Sequence, residues 1–146
     1  MALTVGQNSW VTVAEANIYL GNKIKTTEWF GLDNAPSESG AESKETLLST
    51  AYYWLKGAPE LNISASVSDD NVKNAQIEAA WFLYNYYDEL KEREAAIYTG
   101  VEDFSLSKRS ENLNKDLLQI PSFISGMLRD YGIRNTSADL LGEYDT

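Results

Sequence analysis

The sequence predicts a mainly α protein, a small four-helix bundle with long loops and at most a minor β-element. Three observations carry that expectation. Apolar residues recur at helical spacing in four separated stretches, the longest being "NVKNAQIEAAWFLYNYYDELKEREAAIY" at 71–98. Helix-start and helix-stop residues flank these stretches. Alternation of the strand type is confined to short runs.

Residues 2–11 alternate loosely and read as a short extended segment. Thr12 then suits an N-cap, with Glu15 three residues on to complete a capping box. Ala14, Ile18 and Leu20, with Trp10, are expected to give this first helix its inner face, and Gly21 to stop it. Trp29, Phe30 and Leu32 are expected to plug into the core, and residues 33–43 form a polar loop. A second helix is expected from about 41–45 through "KETLLSTAYYWLKG". Its stripe is Leu47, Leu48, Ala51, Trp54 and Leu55, and Gly57 and Pro59 end it.

"ELNISASVSDD" reads equally as a short strand or a polar loop. Ser68 or Asp69 caps the longest helix, whose buried face runs Val72, Ala75, Ala79, Phe82 or Leu83, Tyr86, Leu90 and Ile97, ending near Gly100. Residues 100–119 read as a loop or small β-element, exposed around 108–114. "IPSFISGMLRDYG" forms the last helix, with Pro121 in its first turn and Ile124, Met127, Leu128 and Tyr131 on its apolar face. The expected division is a helical domain at 1–132 and an extended, partner-binding tail at 133–146.

Composition bounds the function. At 146 residues and 43% hydrophobic content, the chain can bury a core without disulfides or metal. It has no Cys and no His, so thiolate nucleophiles, Cys-based zinc sites and the commonest general base are excluded. Carboxylate-only chemistry survives on composition, but no motif stands behind it. The chain is expected not to be an enzyme and to need no cofactor or metal. Twelve basic residues against 22 acidic ones give a net charge of −10, which opposes tight binding to phosphates. The opening predicts neither a leader peptide nor a membrane anchor, so no membrane contact and synthesis in a cytoplasm are expected.

Four stretches invite a chemical reading. "SDDNV" at 68–72 lacks the further ligands and the Gly of a calcium loop, and reads as helix capping. "YDELKERE" at 87–94 has no His for a di-metal site and reads as a solvated helix face. In "SLSKRS" nothing supports a Ser–Lys dyad. A plain solvated loop is the commoner outcome there, and Lys108 and Arg109 are the local candidates for touching phosphate or an acidic partner. "AAWFLYNYY" at 79–87 is aromatic nearly all round the helix. Core packing alone and core plus a subunit interface are equally compatible with it. The candidate interface residues are Trp81, Tyr84, Tyr87, Phe104, Leu106, Lys108, Arg109, Leu140, Leu141 and Tyr144.

The opening "MALTVGQNSWVTVAEANIYL" resembles a family of tailed-bacteriophage proteins that commonly begin ALTVG-x-NS-aromatic-V-[ST]-[LV]-AEA-x-x-Y. The matching positions are Ala2–Gly6, Asn8–Val11, Thr12, Val13, Ala14–Ala16 and Tyr19. The likeness continues through Trp29, "ETLLSTAYYWLKG" and "VKNAQIEAAWFL", about two-thirds of the chain, and departs at "LNISASVS", where many relatives carry Trp-Pro-Arg. The family is labelled head–tail adaptor (head-completion or connector) protein, or DnaT-like single-stranded-DNA-binding protein. The first label implies a structural protein of the virion neck, made in the bacterial host. It implies a ring of about twelve copies between the portal protein and a tail or neck completion protein. DNA would pass through the lumen without specific binding. The second label implies a replication accessory that binds single-stranded DNA.

Overall fold

The computed structural model describes residues 2–99 and 120–132. The protein is mainly helical, as the sequence predicts. Its helices are α1 (Val13–Gly21), α2 (Thr27–Phe30), α3 (Lys44–Lys56), α4 (Asp70–Thr99) and α5 (Ser122–Met127), with a 3₁₀ turn at Arg129–Tyr131. All four expected helices are present, and the single-turn α2 is an addition. The described residues contain no β-strand, only isolated bridges at Val5–Ser9 and Leu61–Gly132.

The three longest helices start for a readable reason. The Thr12 side chain accepts from the Glu15 backbone N–H while Glu15 accepts from the Thr12 N–H, the expected capping box. Ser43 caps α3 through the Thr46 N–H, and the backbone oxygens of Asp33 and Asn34 take the N–H groups of Lys44 and Glu45. Asp69 Oδ1 accepts from the Asn71 N–H at the start of α4.

The core is organised by α4. Residues 75–80 are all buried, so this stretch passes through the centre of the packing rather than along its surface. Helices α1, α3 and α5 pack against it. Gln76, fully buried, is the polar hub. Its Oε1 accepts from the Trp10 N–H at 2.8 Å, and its Nε2 donates to Ser9 Oγ at 2.9 Å and Leu48 O at 2.8 Å. An amide without such partners would be costly to bury. Here it fixes the N-terminal segment and α3 to one point of α4. The Trp10 ring packs on Tyr52, centroids 4.4 Å apart, and its Nε1 donates to Ser64 O.

Several sequence expectations need correction. Residues 4–9 fold into a turn rather than an extended segment: Gly6 takes φ +89°, Gln7 and Asn8 N–H donate to Thr4 O, and Asn8 Oδ1 accepts from the Thr4 N–H. The buried face of α1 is Ala16 and Leu20; Ala14 and Ile18 are exposed. Tyr19 and Asn17 decide that rotation by bonding Glu78 and Trp29. Trp29 is buried and Leu32 half-buried, but Phe30 is exposed. On α3, Tyr52 joins the buried stripe and Trp54 is only half-buried. On α4, Leu83 is buried, Phe82 and Leu90 are half-buried and Tyr86 is exposed. Of the two readings open for the 60–70 stretch the loop holds; it buries Ile63 and is held by the Asn62 N–H on Tyr131 O.

Candidate interaction surface

Beyond Leu83 the surroundings of α4 open. No side chain from Asn85 to Ala96 is buried. Exposed large side chains gather here: Tyr86 and Tyr87 from α4, and Tyr53 from α3. Consecutive residues of a helix are turned by about 100°, so Tyr52, Tyr53 and Trp54 cannot share one face. Tyr52 takes the core, Trp54 its edge and Tyr53 the solvent. Trp54 stacks on Phe82 with centroids 6.1 Å apart, and Phe82 meets Tyr86 at 4.8 Å.

Between these helices runs a groove of about 450 Å³, lined by Tyr53, Trp54, Leu83, Tyr87 and Leu90 among others. A second recess of about 520 Å³ adjoins it and is lined by Thr46, Leu47 and Tyr84, with Glu42, Asp88 and Glu89 also in its lining. Lys91 and Glu94 form an ion pair at 2.7 Å on the groove's margin. Aromatic side chains dominate the lining of the groove, and the carboxylates gather in the adjoining recess.

The candidate interface residues fall in two groups. Trp81 and Tyr84 are half-buried and stack nearly parallel, with centroids 5.4 Å apart and 7° between planes; Tyr87 is exposed. Partial burial, with Glu28 and Glu42 nearby, raises the pKa of the Tyr84 phenol. Phe104, Leu106, Lys108, Arg109, Leu140, Leu141 and Tyr144 lie outside the described residues, as does the tail at 133–146. Tyr53, Trp54 and Leu90 complete the groove and were not among the candidates. The run of three aromatics at 52–54 carried that signal, since one of three must point outward.

The other polar cluster is structural. Glu78, nearly buried on α4, accepts from Tyr19 Oη at 2.6 Å and pairs with Lys23 Nζ. Burial and the neighbouring carboxylate push the Tyr19 phenol well above its ordinary pKa. The cluster ties α1 and the turn after it to α4. Among the described residues no group of three or more His, Cys, Asp or Glu is placed to hold a metal ion. No described helix is long and apolar enough to cross a membrane. Compared with known protein families, with curated proteins and with solved structures, the chain finds no match in any of the three.

Proposed function

We propose that this chain is a structural subunit of the neck of a tailed bacteriophage. It is a head–tail adaptor that forms a ring of about twelve copies between the portal and the tail or neck completion protein. The observation that supports this reading is the aromatic groove between α3 and α4, with Glu42, Asp88 and Glu89 in the recess that adjoins it, on a chain of net charge −10. Exposed aromatic rings suit a protein partner. Carboxylates around them oppose a phosphate backbone. The likeness of residues 2–19 to the adaptor family points the same way. A ring of this kind acts as a passive spacer: DNA threads through it, and an acidic wall repels the genome instead of gripping it.

The single-stranded-DNA accessory reading shares the aromatics but requires cations beside them to follow the backbone. The groove supplies Lys91, already paired with Glu94, and the recess beside it is edged by Asp88 and Glu89. Mass spectrometry and cryo-electron microscopy of purified particles test the proposal; the expected result is the chain in a ring beneath the portal. Its absence from particles, together with submicromolar binding of single-stranded DNA in physiological salt, would overturn it.

A further inference from the structure

The recess beside the groove is built around Tyr84. Tyr87 and Asp88 are consecutive and so about 100° apart round α4, and Tyr84, one turn earlier, falls between them. The Tyr84 ring therefore lies between the aromatic groove and the Asp88 carboxylate. Trp81 stacks on Tyr84 with 7° between the planes. Thr46 and Thr50 of α3 also line the recess, and Glu42 joins from the loop before α3.

The acids of this recess have no counter-charge beside them. Glu42, Asp88 and Glu89 form no ion pair among the described residues, and no described Lys or Arg lines the recess. The Tyr84 phenol registers that charge: after burial, Glu28 and Glu42 are what raise its pKa. Carboxylates gathered round one ring repel each other until a cation joins them.

The adjoining groove shows how such a surface takes a cation. Lys91 Nζ lies 5.9 Å from the centre of the Tyr87 ring while it pairs with Glu94 at 2.7 Å. A ring and a carboxylate hold one cation together there. The recess offers the same two groups, Tyr84 with Glu42 or Asp88, and its volume of about 520 Å³ admits a side chain rather than a single ion. Among the described residues no three acids are placed to hold a metal. A guanidinium suits the lining, because it stacks on aromatic rings and binds a carboxylate through two parallel N–H bonds.

We propose that the recess over Tyr84 docks an arginine-bearing segment of a protein partner. The guanidinium lies against the Tyr84 ring and pairs with Glu42 or Asp88, and apolar neighbours in the segment enter the Tyr53–Tyr87–Leu90 groove. This rests on the reading of the chain as a docking subunit and names the chemistry of what it docks. A nucleic acid is opposed by the same carboxylates.

A blocked hexapeptide of alternating leucine and arginine, titrated into the full chain, tests the proposal. Tryptophan fluorescence reports it, since Trp81 stacks on Tyr84 and Trp54 lines the groove. Saturable binding is expected. Glu42→Gln with Asp88→Asn should weaken it at least about tenfold. Removing two exposed carboxylates elsewhere, by Glu92→Gln with Asp130→Asn, should change it by less than about twofold. The same peptide with lysine for arginine should bind the parent chain at least about threefold more weakly, an arm that needs no variant to fold. Equal weakening by the two paired variants overturns the proposal, because net charge alone then attracts the peptide. Equal affinity for the lysine peptide, or no saturable binding at millimolar peptide, overturns it as well. A chain found in the neck ring whose recess ignores the peptide removes the arginine and leaves the ring reading standing. Peptide binding by a chain absent from particles keeps the site and removes that reading.

Discussion

Between Ala75 and Ala80 every side chain of α4 is buried; between Asn85 and Ala96 none is. One continuous helix of 30 residues therefore runs through two environments. In the first, position is set by tertiary contacts: Gln76 bonds three separate groups, and Glu78 gathers Tyr19 and Lys23. In the second, the helix is carried by strong helix formers in "DELKEREAA", the Lys91–Glu94 pair and a bond from Asn85 Nδ2 to Trp81 O. The lesson is a division of labour. The inner stretch fixes the fold, and the outer one presents exposed aromatic side chains.

That contrast breaks most severely at Gln76. Gln76→Ala leaves the Trp10 N–H and the Leu48 carbonyl without their partner and opens a cavity, so a loss of about 3–5 kcal/mol is expected in urea unfolding. Gln76→Met keeps most of the volume and isolates the hydrogen-bond part, about 2 kcal/mol. Equal stability of both variants and the parent would mean that the hub holds nothing. Next in size is Glu78→Gln, which keeps the shape but removes the charge facing Lys23. Lys23 is itself about a third exposed, so the expected loss is only about 1–2 kcal/mol at neutral pH. A variant as stable as the parent would show that the pair contributes no net free energy.

Much of the inner half was legible in the sequence because local rules and tertiary packing agree there. The capping box at Thr12 and Glu15, the start of α4 at Asp69 and Asp70, and the buried positions Val72, Ala75 and Ala79 follow directly from spacing. On α1 the expected inner face holds at Leu20 and fails at Ala14 and Ile18, because the nine residues are apolar on two sides. Spacing cannot choose between Ala16 and the pair Ala14 and Ile18 as the companions of Leu20; the bond from Tyr19 to Glu78, 59 positions away, does. The groove was half legible. Tyr87 stands out in an aromatic run and the run at 52–54 must turn one ring outward, but which ring does so, and that Leu90 joins it, is decided by the packing of α3 on α4.

The pH dependence of the inner half is a weaker probe of the same division. Glu15 accepts from the Thr12 N–H and pairs with Lys73 on the first turns of α4, and its pKa is lowered below the ordinary 4.5 chiefly by the Thr12 bond. A carboxylate with a depressed folded-state pKa stabilises the fold above its unfolded value and loses that contribution as pH falls through the folded one. The stability difference between the parent and Glu15→Gln should therefore be constant near neutrality and shrink below about pH 4.5. A difference that stays constant down to pH 3 would mean that charge has no part in this cap.

The smallest effect on stability is expected in the outer half, and its smallness is the informative part. Tyr87 is exposed and lines the groove between α3 and α4. Tyr87→Ser should shift the unfolding free energy by less than about 0.5 kcal/mol, as surface substitutions away from packed features do. The same change removes the largest apolar surface that the outer half of α4 gives to the groove, so self-association measured by sedimentation should weaken. Stability and assembly would then be separable within one helix, lost at Gln76 and at Tyr87 respectively. If Tyr87→Ser instead destabilised the monomer as much as Gln76→Met, the outer half would belong to the core, and the aromatic groove would be a packing surface with no role between copies.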